Sequence, residues 1–221
     1  MNPKQLVGEK ACEYIKDGMI IGLGTGSTAF YTIMKVAEMI RNGMDIKAVP
    51  TSEATEKLAK EQGIPLVDIN TVRSLDLGID GADEFDKNKQ LIKGGGGALL
   101  REKIVASLCK TYICIADYSK KSEYLGSFAL PVEVTSFAKD VTKRQLETLG
   151  CCCTFRMKNE SLFITDNGNL IIDCKFEQIT NPKELNVSIN KIPGVVENGL
   201  FVDLASCIIC ADLDGKIEVI E

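Results

Sequence analysis

Residues 19–28 read Met19-Ile20-Ile21-Gly22-Leu23-Gly24-Thr25-Gly26-Ser27-Thr28, and AFYTIMKVAEMIR follows at 29–41. A short apolar run that ends in glycines predicts a buried strand over 19–23. Apolar residues at helical spacing predict a helix over 28–41, stopped at Asn42-Gly43. Strand, glycine turn and helix in that order are the repeating unit of an α/β fold, and the neighbouring sequence repeats it. Residues 5–16 carry Leu6, Val7, Ala11, Tyr14 and Ile15 on one helical face. Strands are predicted over 46–49, 66–69, 75–79 and 112–116. Helices are predicted over 52–62, with Thr51 or Ser52 as N-cap and Gly63 as C-cap, and over 98–108. Residues 85–92 predict a small hairpin around Asp86-Lys87-Asn88. This alternation implies a doubly wound, mostly parallel, Rossmann-like sheet with helices on both faces.

Beyond residue 127 the texture changes. A strand over 130–134, a helix over 141–149, a hairpin over 163–175 around Asp166-Asn167-Gly168-Asn169 and a helix over 183–190 predict a smaller α+β domain. A last hairpin, 207–213 and 216–220 around Asp214-Gly215, is expected to return to the first sheet. The expected domains are therefore 1–127 plus 204–221, and 128–203.

The 221 residues carry 26 Lys plus Arg against 31 Asp plus Glu, a net charge of −5. A mildly acidic chain without a basic cluster is poorly suited to grip a nucleic-acid backbone. No apolar run approaches bilayer length, and MNPKQLVGEK lacks the apolar core of a signal peptide, so a cytoplasmic location is expected. The chain has no histidine. That excludes Ser-His-Asp and Cys-His catalysis and histidine-ligated metals. Acid–base chemistry must come from Asp, Glu, Lys, Cys or Tyr. The nine cysteines include Cys151-Cys152-Cys153 and the pair Cys207 and Cys210. Adjacent cysteines make poor tetrahedral clusters, and the odd spacing of Cys207 and Cys210 in a strand sends them to opposite faces. They are read as reduced, buried or idle thiols, with no metal site.

Four segments fall where ligands sit on such sheets, at the carboxyl ends of the strands: Gly24 to Thr28, Thr51-Ser52, Asp80 to Glu84 and Gly94 to Gly97. Gly22 to Thr28 offers free N–H groups at a helix start and the hydroxyls of Thr25, Ser27 and Thr28, a cradle for phosphate. Serine at position 27 breaks the dinucleotide fingerprint, and no lysine precedes Ser27 or Thr28 as a P-loop requires. A sugar phosphate, a dinucleotide and a ligand-free turn all remain open on these residues alone. Asp80-Gly81-Ala82-Asp83-Glu84 gathers three carboxylates whose repulsion can raise one pKa. A solvated acidic turn and a divalent-cation site are the alternatives. Lys93-Gly94-Gly95-Gly96-Gly97 precedes a helix that carries Glu102. A carboxylate beside a nest of N–H donors and a cation is what proton abstraction from carbon needs. The alternative is a glycine hinge with a solvated Glu102.

In this order, GLGTGST at 22–28, TSEAT at 51–55, DGADE at 80–84 and KGGGGALLREK at 93–103 resemble the type A ribose-5-phosphate isomerase family. ICIADYSK at 113–120, LPVEV at 130–134, TDNGN at 165–169 and IPGVV at 192–196 extend the resemblance over nearly the whole chain. It implies metal-free, cofactor-free interconversion of ribose 5-phosphate and ribulose 5-phosphate, in homodimers or homotetramers, within the pentose phosphate pathway. It also implies that Glu102 is the catalytic base and that Asp80, Asp83 and Lys93 complete the active site. Implied substrate-binding residues are Thr25, Gly26, Ser27, Thr28, Asp80, Gly81, Ala82, Asp83, Lys93, Gly94, Gly95, Gly96, Lys120 and Lys4. Competing readings are a sugar-phosphate sensor domain, an amino-sugar-phosphate deaminase and a dinucleotide-dependent oxidoreductase. The sensor lacks its basic helix-turn-helix here, and the deaminase lacks its histidine.

Overall fold

A computed structural model describes residues 2–221. In chain order the elements are α1 (Pro3–Cys12), β1 (Ile20–Leu23), α2 (Ala29–Arg41), β2 (Lys47–Pro50), α3 (Glu53–Glu61), β3 (Leu75–Gly81), β4 (Glu84–Phe85), β5 (Leu91–Ile92), α4 (Leu99–Leu108) and β6 (Cys109–Asp117). They continue with β7 (Leu130–Val134), α5 (Lys139–Glu147), β8 (Cys152–Phe155), β9 (Met157–Lys158), β10 (Ser161–Leu162), β11 (Leu170–Lys175), α6 (Pro182–Asn190), β12 (Val195–Asn198), β13 (Leu200–Phe201), β14 (Cys207–Ala211) and β15 (Ile217–Ile220). The chain divides into two compact units, Met1–Ala82 with Arg101–Lys121 and Leu204–Glu221, and Asp83–Leu100 with Ser122–Asp203.

The first unit is built on a six-stranded sheet of order β15-β14-β6-β3-β1-β2. All neighbours run parallel except β14 and β15, which form the terminal hairpin. Helices cover both faces, which is why its inner strands are continuous apolar runs. One face packs Val7, Ala11, Ile33 and Val36 of α1 and α2 onto Ile21, Leu23 and Ile79. On the other, Val105 of α4 meets Val49 and Leu75. From β1 the chain crosses outward to β2, and β3 then starts on β1's opposite side. Such a reversal opens a crevice at the carboxyl ends of the two strands that flank it. Here those ends are Gly24 after β1 and Asp80 in β3.

In the second unit, β12-β7-β11-β8 form an antiparallel sheet and β13-β5-β4 a smaller one. Its core includes Leu130, Val132, Val134, Leu146, Ile172, Ile189 and Leu200. Residues 83–100 lie in this unit, whereas the sequence predicts a boundary at 127. The physical reason is pairing: β5 bonds to β4 and β13, not to the parallel sheet. Buried Glu133 of β7 accepts hydrogen bonds from Thr165 Oγ1 (3.0 Å), Asn167 Nδ2 (3.2 Å) and Asn169 Nδ2 (2.9 Å), so it pins the TDNGN turn. Cys151, Cys153 and Cys174 sit in the apolar cluster with sulfurs 3.6 Å and 3.5 Å apart. They offer three sulfurs, against the four ligands of a closed structural zinc site. No helix among the described residues is long and apolar enough to cross a membrane.

Two expected elements differ. The sequence predicts a strand over 66–69. Only Leu66 bridges to Ala48, and Asp68 then caps a 3-10 turn over Ile69–Thr71 by accepting from Asn70 N–H. In the hairpin expected over 163–175, the turn forms but Ile164 and Leu170 make a single bridge, and β11 pairs instead with β7 and β8.

Candidate active site

In the first unit the turn after β1 is locked to the end of β3. Gly24 N–H donates to Ile79 O (2.9 Å), and Thr25 N–H donates to Asp80 Oδ1 (3.0 Å), which also accepts from Gly81 N–H (2.7 Å). A Cβ at Gly24 would lie 2.1 Å from Asp80 Oδ1 and 2.3 Å from its Cγ, so only glycine lets the two strand ends approach this closely. The Thr25 hydroxyl faces inward. It sits 2.7 Å from Thr51 Oγ1, 2.8 Å from Ser52 Oγ and 3.1 Å from Thr55 Oγ1. Thr51 and Thr55 in turn donate to the carbonyls of Leu23 (3.1 Å) and Gly24 (2.9 Å). The hydroxyl expected from Thr25 for a ligand is thus committed to a network that ties TSEAT to the glycine turn.

The outer part of that turn is different. Gly26 and Ser27 are exposed, and Thr28 caps α2 without spending its side chain on a cap hydrogen bond. Lys4, from α1, brings its Nζ to 2.9 Å from Ser27 Oγ. The turn therefore presents hydroxyls, amides at a helix start and an ammonium together, the donor set that suits a phosphate. Lys120 ends a 3-10 turn that follows β6, half-buried. A cavity of about 510 Å³ is lined by Lys4, Asp117, Tyr118, Leu213 and neighbours, and includes none of the four expected catalytic residues.

Asp80 and Glu102 are 1% and 5% exposed. Glu102 lies in the first turn of α4, where the helix dipole favours an anion. Its neighbour Arg101 points elsewhere, 3.6 Å from Glu53 Oε1. Tyr112 of β6, the strand next to β3, is fully buried. Burial first, then the charges of Asp80 and Glu102, push its phenol well above the ordinary tyrosine value. Tyr112 stays protonated and neutral beside them.

In the second unit the other half of DGADE meets the glycine loop. Asp83 Oδ2 accepts from Gly95 N–H at 2.7 Å, and a Cβ on Gly95 would fall 2.4 Å from Asp83 Oδ1. Lys93 is 2% exposed, its N–H donating to Gly199 O (2.9 Å) and its ammonium 5.3 Å from the Phe201 ring centroid. Arg156 donates through Nη1 to the carbonyls of Gly94 (2.8 Å) and Gly95 (2.9 Å).

Each of the three carboxylates of 80–84 has its own donors. Glu84 is fully buried and accepts from the N–H groups of Gly126 (2.9 Å), Ser127 (3.2 Å) and Phe128 (3.1 Å) and from the Ser127 hydroxyl. Burial pushes its pKa up, but the hydrogen bonds from Ser122, Ser127, Gly126 and Phe128 outweigh it and hold Glu84 below the usual carboxylate range. Glu84 is a structural anchor.

The family model for ribose 5-phosphate isomerase A (phosphoriboisomerase A) matches residues 47–215. The chain belongs to that family. Ribose-5-phosphate isomerase A of Bacillus cereus is 54% identical over 220 residues, covering 99% of this chain and all of the relative. Ribose 5-phosphate isomerase of Plasmodium falciparum superposes with a TM-score of 0.95 at 38% identity, covering 98% of this chain and 96% of that one. A D-ribose-5-phosphate isomerase solved in complex with phospho-erythronic acid gives 0.96 at 39% identity, with both chains covered completely. The structure places the glycine turns and the acids singled out in the sequence as described above: Asp80 and Glu102 are buried, and Asp83 accepts from Gly95 N–H. Sequence reasoning places Thr51-Ser52 among the ligand-end segments but gives no sign that Arg156 and Asp173 meet the glycine loop.

Proposed function

We infer that the chain is an aldose–ketose isomerase that interconverts D-ribose 5-phosphate and D-ribulose 5-phosphate through an enediolate. The observation that carries this reading is the burial of Asp80, Lys93 and Glu102, each 5% exposed or less. Charged side chains are rarely buried without purpose, and the site is where a fold tolerates them. Family membership supports the same substrate. So does the relative that binds phospho-erythronic acid, a four-carbon acid whose planar carboxylate resembles the two oxygens of an enediolate.

In this mechanism Ser27, Thr28, the turn amides, Lys4 and Lys120 hold the phosphate. Asp80 or Asp83 opens the furanose by delivering a proton to the ring oxygen and accepting one from O1. The Glu102 carboxylate takes the C2 proton of the open aldose and returns it to C1, one group serving both carbons from one face, while the O2 hydroxyl proton passes to O1 within the enediolate. Lys93 and the amides of the glycine loop stabilise the oxyanion that develops between those steps. Thr25 and Gly24 act one layer back and hold Asp80. Nothing in the cycle changes oxidation state overall, so no dinucleotide is consumed, and Lys93 with the loop amides supplies the charge stabilisation that a Lewis-acid metal would otherwise give. A cytoplasmic homodimer or homotetramer belongs to this reading, and the nine free cysteines favour a reducing compartment.

The test is ribulose formation from ribose 5-phosphate with chelator present and no nucleotide added. Steady turnover is expected. Activity that depends on an added divalent metal or dinucleotide would overturn the mechanism.

A further inference from the structure

Four consecutive glycines have many accessible conformations, yet an oxyanion site works only if its donors are already aimed. The second unit holds the means of aiming them. The Arg156 guanidinium reaches the loop from the strand end that follows β8, and one nitrogen, Nη1, donates to two successive carbonyls, Gly94 O at 2.8 Å and Gly95 O at 2.9 Å. Its other nitrogens are taken by Asp173 of β11. Nε donates to Oδ2 at 3.0 Å and Nη2 to Oδ1, a two-point fork. The backbone of Arg156 is tied on both sides, N–H to Ile171 O (2.9 Å) and O to Phe163 N–H (2.9 Å). The Phe163 ring lies 6.0 Å from the guanidinium and sits where a Cβ on Gly97 would be.

Because a trans peptide is planar, fixing its carbonyl oxygen fixes its N–H on the opposite side. Holding Gly94 O therefore aims the Gly95 N–H, which meets Asp83 Oδ2 at 2.7 Å. Holding Gly95 O aims the Gly96 N–H. Gly96 is the exposed glycine of the four, and a Cβ there would meet nothing within 4 Å, so this is the loop's open side. A cation on the two carbonyls also polarises both peptides and strengthens their N–H groups as donors.

We propose that Arg156, oriented by Asp173, is a positioning residue that clamps the glycine loop through its carbonyls, setting Asp83 on one peptide and aiming the Gly96 amide at the substrate oxyanion on the next. This rests on the isomerase reading above. Arg156 contacts neither phosphate nor reacting carbon in this scheme, so its effect belongs in turnover rather than in binding.

Arg156→Lys keeps the charge but cannot hold two carbonyls and a carboxylate in one plane. A misplacement near 1 Å, or one lost oxyanion donor, is worth on the order of 10²-fold, so kcat should fall by about that factor with KM changed less than about threefold. Asp173→Asn preserves shape and loosens the fork, and kcat should fall by roughly tenfold. Arg156→Ala should recover part of its lost turnover when guanidinium or ethylguanidinium ion is added at millimolar concentration, a rescue that a general loss of folding would not give. The Asp173→Asn result decides the matter if an Arg156 variant fails to fold. Wild-type kcat in folded Arg156→Lys and Asp173→Asn, or a loss confined to KM, would overturn the proposal while leaving the isomerase reading intact. A wild-type protein that does not isomerise ribose 5-phosphate would instead overturn the function on which it rests.

Discussion

Replacing Gly24 by alanine puts a methyl group into the closest contact of the candidate site. The added Cβ would stand 2.1 Å from Asp80 Oδ1, 2.3 Å from Cγ and 2.6 Å from the Asp80 Cα. Ordinary contact begins near 3.4 Å, so the carboxylate or the turn must retreat by about 1.3 Å. The neighbour is partly backbone, which makes retreat costly. It also separates Asp80 from the Thr25 N–H that it accepts at 3.0 Å. Overpacking costs about 1–3 kcal/mol, and weakening a hydrogen bond to a charged group adds about 1.5–3 kcal/mol if it is lost outright. For a chain of this size each kcal/mol lowers Tm by about 2–4 °C, so a loss of roughly 5–24 °C is expected. A displacement of that size at a catalytic carboxylate should reduce kcat by on the order of 10²-fold. KM should rise as well, since the same turn carries Ser27 and Thr28. The assays are thermal unfolding by circular dichroism and initial rates of ketose formation. Gly81→Ala is the control for stability, because its methyl group meets only Ile115 O at 3.8 Å. A Gly24→Ala protein with wild-type Tm and kcat within twofold would refute the argument that Asp80 is held by this contact.

Thr28→Ala should raise KM for ribose 5-phosphate with little change in kcat, since a remote phosphate contact is made equally in ground and transition states; a collapsed kcat at normal KM would give the turn another role. Glu84→Gln should lower stability at neutral pH. The folded-state pKa of Glu84 is depressed, so its contribution is present above the ordinary glutamate range near pH 4.3 and is lost as pH falls through the depressed value. Wild type and variant should therefore converge in Tm under acid, and a gap that widens on acidification would contradict the assignment. Among the thiols, exposed Cys152 should react first with a disulfide reagent at neutral pH, and Cys152→Ser should abolish the fast phase. Cys12 and Cys109 should stay silent until unfolding, because burial pushes each to about 12.

The parallel half of the fold was legible because its strands are buried on both faces. Runs such as residues 19–23 and 112–116 have no polar alternation to confuse, and each is followed or preceded by a helix; elsewhere in the same half α3 starts at Ser52, one of the two expected N-caps, which accepts from Thr55 N–H. The antiparallel half was less legible. β8, β12 and β13 are short, and the residues that oppose them come from distant parts of the chain, such as Cys153 against Cys174. The same distinction separates the parts of the site. Glycines and acids that crowd a turn leave local patterns, and 22–28, 80–84 and 93–97 were read from them. What orients those turns is long-range. Arg156 is a single charged residue between Phe155 and Met157, 62 positions from the Gly94 carbonyl it holds, and no local spacing announces such a contact. Lys4 meets Ser27 across 23 positions; the resemblance implied a phosphate-contacting lysine there, but neither it nor the residue patterns gave this contact. Glu84 shows the converse: a carboxylate beside two others looked chemical in sequence, but a ring of backbone donors makes it structural.

The central claim is that Glu102 moves the proton between C1 and C2. Glu102→Gln keeps the side chain's shape at a buried position in the first turn of α4 and removes the proton acceptor. A positioned general base is worth about 10²–10⁴-fold, so washing of solvent deuterium into carbon should slow by at least that order while phosphate binding persists. The direct measurement is ¹H NMR of ribose 5-phosphate incubated with the variant in deuterated water. Loss of exchange at C1 and C2, with KM for residual turnover near wild type, is the predicted result. Exchange at the wild-type rate would contradict the account and pass the proton to Asp80 or Asp83.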